Sequence, residues 1–107
     1  MLIPDIIINL KFLPTEHGGR KMPTPKDYFG CIFEIHNTNH DGRLLLDKIG
    51  SIYPSETKEN VPVKFLCADL VIPKLNIGDK LLLKEGHVIG EAIVAEILNK
   101  NPESSAV

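Results

Sequence analysis

Apolar and polar positions alternate along much of this chain, and the alternation stops or changes phase at identifiable places. Between Asp5 and Leu13, Ile6, Ile8, Leu10 and Phe12 share one face, while Ile7, Asn9, Lys11 and Leu13 share the other. Period two over this length predicts a half-buried strand. Residues 14–27 carry prolines and the pair Gly18-Gly19, which read as a long loop without regular structure. A second strand is predicted over Tyr28 to Ile35, with Phe29, Cys31, Phe33 and Ile35 on its apolar face. Asn39-His40-Asp41-Gly42 has the chemistry of a hairpin turn, because Asp-Gly suits positive φ. Leu44 to Leu46 is then a short third strand, and the polar stretch Gly50 to Asn60, which holds Pro54, a connector.

The fourth predicted strand is long, Val61 to Ile72. Val61, Val63, Phe65 and Cys67 share a face, and from Ala68 the apolar phase moves to Ala68, Leu70 and Ile72. A phase change inside one strand predicts a bulge at a barrel corner. Pro73 closes the strand, Asn76 to Asp79 is a turn, and Lys80 to Lys84 is a fifth strand. After Gly86 the last element runs to Leu98 and is ambiguous. Glu91, Ala92, Ala95 and Glu96 favour a helix, as does the spacing of Ile89, Ile93 and Ile97. As a strand it places Val88, Gly90, Ala92, Val94 and Leu98 on one face, with Glu96 as an interruption. Asn99 to Val107 is a polar tail.

The 107 residues suit one core, so residues 1–98 are read as a single domain. With 43% hydrophobic and 24% charged residues, the composition is that of an ordinary globular chain. Twelve basic and fourteen acidic residues give a net charge of -2, which argues against a strongly cationic nucleic-acid binder. No apolar run approaches the roughly 18 residues of a membrane helix. The start, MLIPDIII, lacks a basic region and is not a secretory signal, so a cytoplasmic protein without membrane contact is expected. The sequence shows no nucleotide-binding glycine motif and no CxxC pair, and no nucleotide or other cofactor is expected. Five or six short strands, one of them long and bent, fit an all-β, small closed six-stranded barrel.

Chemistry-bearing residues are few. Cys31 and Cys67 sit among apolar neighbours and read as reduced core thiols; a thiol enzyme would need one of them beside a histidine. His36 and His40 with Asp41 could supply metal ligands, or could simply form a polar hairpin tip. His17 and His87 adjoin glycines and read as exposed loop residues.

Three stretches, taken in order, resemble the third, C-terminal β-barrel domain of translation elongation factor Tu. The first is Phe12 through Pro23, which includes Gly18-Gly19-Arg20 and is similar to that family's strand followed by (D/E)-G-G-R-x-T-P. The second is the aromatic strand that starts at Tyr28-Phe29. The third is Gly78 to Val94, similar to the family's G-x-R-F-x-(I/L)-R-E-G-G-R-T-V-G-x-G-x-V. The resemblance implies a six-stranded barrel whose closing strand is the ambiguous last element, so Val88 to Leu98 is taken as a strand. Departures are clear. Lys26-Asp27 stands in place of the family's Arg-Pro-Gln, its Met-Pro-Gly-Asp is replaced by Lys58 to Pro62, and Lys84 takes the place of an arginine. Nothing in the sequence corresponds to the GTPase domain or the second barrel.

In that family the barrel is a binding surface for tRNA, an exchange factor and sister domains. The resemblance therefore implies a non-catalytic, stand-alone binding module. Its candidate contacts are Gly19, Arg20 and Lys21 in the loop, and Lys84, Glu85 and Gly86 before the last strand. Arg20 would offer a fork for phosphate or carboxylate, unless it pairs locally with Glu16. Acids offset the nearby lysines and only 6% of residues are aromatic, which favours a protein partner over tRNA or another RNA. An immunity or regulatory protein fits this description. Ile7, Ile32 and Ile89 are candidates for outward apolar positions, where a homodimer contact could form.

Overall fold

Alternation places four large side chains of the first strand on one face, and those four become the centre of the core. In the computed structural model, which describes residues 3–100, Ile6, Ile8, Leu10 and Phe12 of strand β1 (Ile6–Phe12) are all essentially inaccessible to solvent. The inward face of β2 (Tyr28–Ile35) is Phe29, Cys31, Phe33 and Ile35, as the alternation requires. The other strands are β3 (Thr38–Leu45), β4 (Thr57–Phe65), β5 (Lys80–Lys84) and β6 (Val88–Ile97). They form one closed antiparallel barrel in the order β1-β4-β3-β2-β5-β6, with β6 returning to β1. The fold is thus an all-β, six-stranded closed barrel filled by its own side chains. Edge-to-face pairs Phe12–Phe29 and Phe33–Phe65 fill it, their centroids 6.4 and 5.4 Å apart.

The last element is a strand, against its helical propensity. It lies between β5 and β1 and hydrogen-bonds to both, so tertiary pairing outweighs the preferences of Glu91, Ala92, Ala95 and Glu96. Two register shifts refine its faces. Between Leu83–Gly90 and Lys84–Val88 the extra residue is Ile89, which is buried rather than outward. Between Ile7–Glu96 and Ile8–Val94 the extra residue is Ala95, and beyond it Ile97 packs on the core while Leu98 is exposed.

Other expectations are corrected as well. The β2–β3 turn is His36-Asn37, both at positive φ (49° and 66°), and Asn39 to Gly42 lie inside β3. Gly42 is needed there for space: a Cβ would stand 2.8 Å from the Phe33 ring and 3.1 Å from that of Phe65. The third strand thus begins at Thr38, not Leu44. The fourth begins at Thr57, inside the expected connector, and contains a bulge earlier than anticipated, where Glu59 and Asn60 face Asn9. Asn60 takes φ 57° there, and its N–H donates to Asn9 Oδ1. Finally, β4 ends at Phe65. The phase change at Ala68 is the onset of a short helix, α1 (Ala68–Val71), which runs into a 3-10 turn (Ile72–Lys74). Ala68, Val71, Ile72 and Leu75 cap the barrel end, while Cys67 is exposed and not a core thiol. The loop after β1 also holds one 3-10 turn, Thr15–His17. Of the expected tail, residues 101–107 lie outside the described part, as do residues 1 and 2.

Candidate functional site

The loop after β1 is held in shape by its glycines. Gly18 adopts φ 92°, a left-handed conformation that disfavours other residues. A Cβ at Gly19 would stand 2.0 Å from the Leu13 carbonyl oxygen, so only glycine fits the close backbone approach. The Gly19 N–H donates to Pro14 O, and Thr15 Oγ1 donates to Arg20 O at 2.6 Å, which closes the loop on itself. Gly-Gly therefore has a structural reason, and its consequence is to deliver Arg20.

Arg20 does not pair with Glu16. Its Nη1 donates to Glu85 Oε1 at 2.8 Å, Nε to Met22 O at 3.2 Å, and Nη2 to Pro23 O at 3.5 Å. The guanidinium also lies 4.5 Å from the centre of the Phe29 ring. The carboxylate that its fork recognises is therefore the chain's own. Glu85 and Gly86 form the β5–β6 turn, with Gly86 at φ 78° and the Glu85 N–H donating to His87 O. His87 Nε2 reaches Gly18 O at 2.8 Å, and the Leu13 N–H donates to Ile89 O. Two stretches far apart in sequence thus form one latch between loop and hairpin.

Between them lies an open groove of about 490 Å³, with Gly18, Gly19, Lys21, Met22, Glu85 and His87 among its walls. Arg20 is neutralised by Glu85, and Lys84, which points elsewhere, by Glu34. Lys21 has no ion pair among the described residues, and Met22 beside it is 68% exposed. Gly19, Arg20, Lys21, Glu85 and Gly86 were legible from the sequence, whereas Thr15, Met22 and His87 did not stand out in it, and Lys84 lies outside the groove. His87 had a signal, since it follows Glu85-Gly86 directly; Thr15 and Met22 had none beyond nearness to the glycines.

The other chemical candidates fall away from this groove. Cys31 lies against the core, and burial first, then the Glu85 charge, push its thiol up to about 12, leaving no thiolate at neutral pH. His36 Nε2 contacts Asp79 Oδ2 at 3.1 Å, and among the described residues no group of three His, Cys, Asp or Glu side chains is arranged to hold a metal. Ile7 and Ile32 are half-buried; larger exposed apolar groups are Leu66, Leu70 and Ile77. No helix of the described residues is long and apolar enough to cross a membrane. No protein-family model and no curated protein matches this chain.

Proposed function

We propose that this barrel is a non-catalytic binding module, which engages a protein partner through the groove between the Gly18–Met22 loop and the Glu85–His87 turn. The observation that carries the reading is the Arg20–Glu85 contact, because it joins two stretches far apart in sequence into one concave surface. The groove offers what a protein interface uses: an exposed methionine, an unpaired lysine, and acceptors on Glu85 and the loop backbone. The likeness to the third domain of elongation factor Tu supports the same reading, as does the inert thiol of Cys31, which removes one catalytic group. Small barrels serve many functions, so the weight rests on the groove and not on the fold. Immunity or regulation of translation is the role this resemblance suggests, in a cytoplasmic setting.

An RNA partner is the second reading, and charge weighs against it. Of the three cations in the two stretches, Arg20 and Lys84 are neutralised within the chain. Phosphate binding needs several free cations and gives a steep salt dependence. The test is affinity capture from the source cells with wild-type protein and a Lys21→Glu/Met22→Asp variant, followed by reconstitution with the purified captured protein. Both side chains are exposed and make no contact that the loop needs, so the variant should fold normally and lose the partner by tenfold or more. Equal binding by both forms removes the groove from the function. Salt-sensitive binding of bulk tRNA by wild type, abolished in the variant, transfers it to RNA.

A further inference from the structure

Strand β2 is paired on one side along its whole length and on the other side only in part. Its partner β3 runs from Tyr28–Leu45 to Ile35–Thr38, whereas β5 pairs only with Ile32, Phe33 and Glu34. The two-residue turn makes Ile35–Thr38 a hydrogen-bonded pair, so Phe33, Cys31 and Phe29 also direct their N–H and C=O groups toward β3. The bond from Leu46 N–H to Asp27 O continues the same phase. Tyr28 and Gly30 therefore direct their backbone groups away from β3, beyond the point where β5 stops. No hydrogen bond among the described residues outside the ladders reaches them, and both residues are exposed. This is a short open edge in an otherwise closed barrel.

A second observation lies beside that edge on the outer surface. Gly30, Arg43 and Lys64 are cross-strand neighbours in register, forming one row over β2, β3 and β4. Arg43 and Lys64 are like charges directly opposite, an arrangement that costs stability unless each finds a counterpart. Lys64 has Asp5 at 3.4 Å. Arg43 has only the face of Tyr28, 5.1 Å from its ring centre, and no ion pair or hydrogen bond among the described residues. Gly30 leaves an open depression next to Arg43, part of a groove of about 650 Å³ that also includes Asp41 and Leu66. Asp41 forms no ion pair with either cation, so it does not supply the missing carboxylate.

We infer that an extended segment of a partner protein adds as a strand to the β2 edge at Tyr28–Gly30 and lays an acidic side chain over Gly30 onto Arg43. Main-chain groups at Tyr28 and Gly30 fix the segment as extended, and alternation places one of its side chains on the outer face beside Gly30. A carboxylate there meets the free guanidinium edge-on. A second copy of this chain is a poorer occupant. Antiparallel pairing of β2 with itself about Phe29 sets Tyr28 against Gly30, and the next outward residue is Lys26, so no carboxylate reaches Arg43. This surface shares no residue with the groove around Lys21 and Met22.

The test uses short capped peptides of alternating Thr and Val with one central Glu, and their Lys counterparts, titrated into isotope-labelled protein. The Glu peptide should shift the amide resonances of Tyr28 and Gly30, slow their hydrogen exchange, and bind about tenfold or more tightly than the Lys peptide. Arg43→Gln, an exposed change, should abolish that preference while weak pairing persists. N-methylation of the peptide amides facing the edge should abolish binding. The Lys21→Glu/Met22→Asp variant should bind the Glu peptide like wild type. Equal affinity for Glu and Lys peptides, no binding at millimolar peptide, or shifts confined to another surface overturns the proposal. So does protection of the Tyr28 and Gly30 amides that rises with protein concentration in the absence of peptide, which assigns the edge to a second copy.

Discussion

His40 illustrates the cost of a polar side chain at an inward position. It lies opposite Phe33 in the β2–β3 ladder, and its Nε2 is buried without a hydrogen-bond partner. Desolvation first, then the nearby Lys74 charge, hold its pKa below the ordinary 6.5. The folded protein therefore binds this proton less readily than the unfolded chain, and stability must rise with pH across that interval. The contribution is complete above 6.5 and is lost as pH falls through 6.5 toward the lower folded value. Urea midpoints measured from neutral pH downward should drop for wild type in this window, and His40→Phe should flatten the drop. A wild-type profile that His40→Phe leaves unchanged assigns the acid sensitivity elsewhere. The sequence marked His40 as a metal ligand or part of a polar hairpin tip, not as a strand residue opposite Phe33. Asn39 to Gly42 has turn composition, yet His36 and Asn37 take the positive φ values, and Gly42 is a core glycine pressed by Phe33 and Phe65.

Pairing across the barrel decides which stretches become elements and which become a site. Arg20 and Glu85 are 65 residues apart, and each has a closer sequence neighbour of opposite charge, so local spacing pointed Arg20 to Glu16. The latch should show in a double-mutant cycle of Arg20→Gln and Glu85→Gln by chemical denaturation. Because Glu85 is 39% exposed, solvent screening limits the coupling to about 0.5–1 kcal/mol, shrinking at high salt. A coupling near zero at low salt means the loop is held by its other hydrogen bonds, His87 to Gly18 and Thr15 to Arg20 among them, without this ion pair. The same distinction explains what could be read beforehand. Strands β1, β2 and β5 follow from alternation within a few residues, since one face of each is buried. Helix α1 could not be separated from β4, because apolar positions recur from Val61 to Ile72 and the change of period occupies a single turn. In β6 the bulges at Ile89 and Ala95 moved side chains between faces, which alternation alone cannot foresee.

Closure of the whole barrel converges on Asp5, a residue that sequence pattern marks only as the polar start of β1. Its side chain is 1% exposed, yet it accepts the Phe65 N–H at 2.8 Å and Asn99 Nδ2 at 2.7 Å, with Lys64 Nζ at 3.4 Å. Its own N–H donates to Val63 O, and its carbonyl accepts the N–H groups of Leu98 and Asn99. One residue thus ties the start of β1 to the end of β4 and the exit of β6, the two seams by which β1 closes the barrel. Asp5→Ala leaves the buried Phe65 N–H unpaired and Lys64 without its counter-charge. Orphaning a buried donor costs about 1–3 kcal/mol, and breaking a charged contact adds to that, so a loss of roughly 3 kcal/mol is expected. Asp5→Asn keeps an acceptor for Phe65 and should lose about half as much. Because every strand has a neighbour on both sides in the closed order, the loss should appear as one shifted unfolding transition with an unchanged denaturant slope. Hydrogen exchange should rise together at both seams. Faster exchange confined to Leu98 and Asn99, with the midpoint unmoved, would show instead that Asp5 holds only the end of the chain and that the β1–β4 ladder closes the barrel without it.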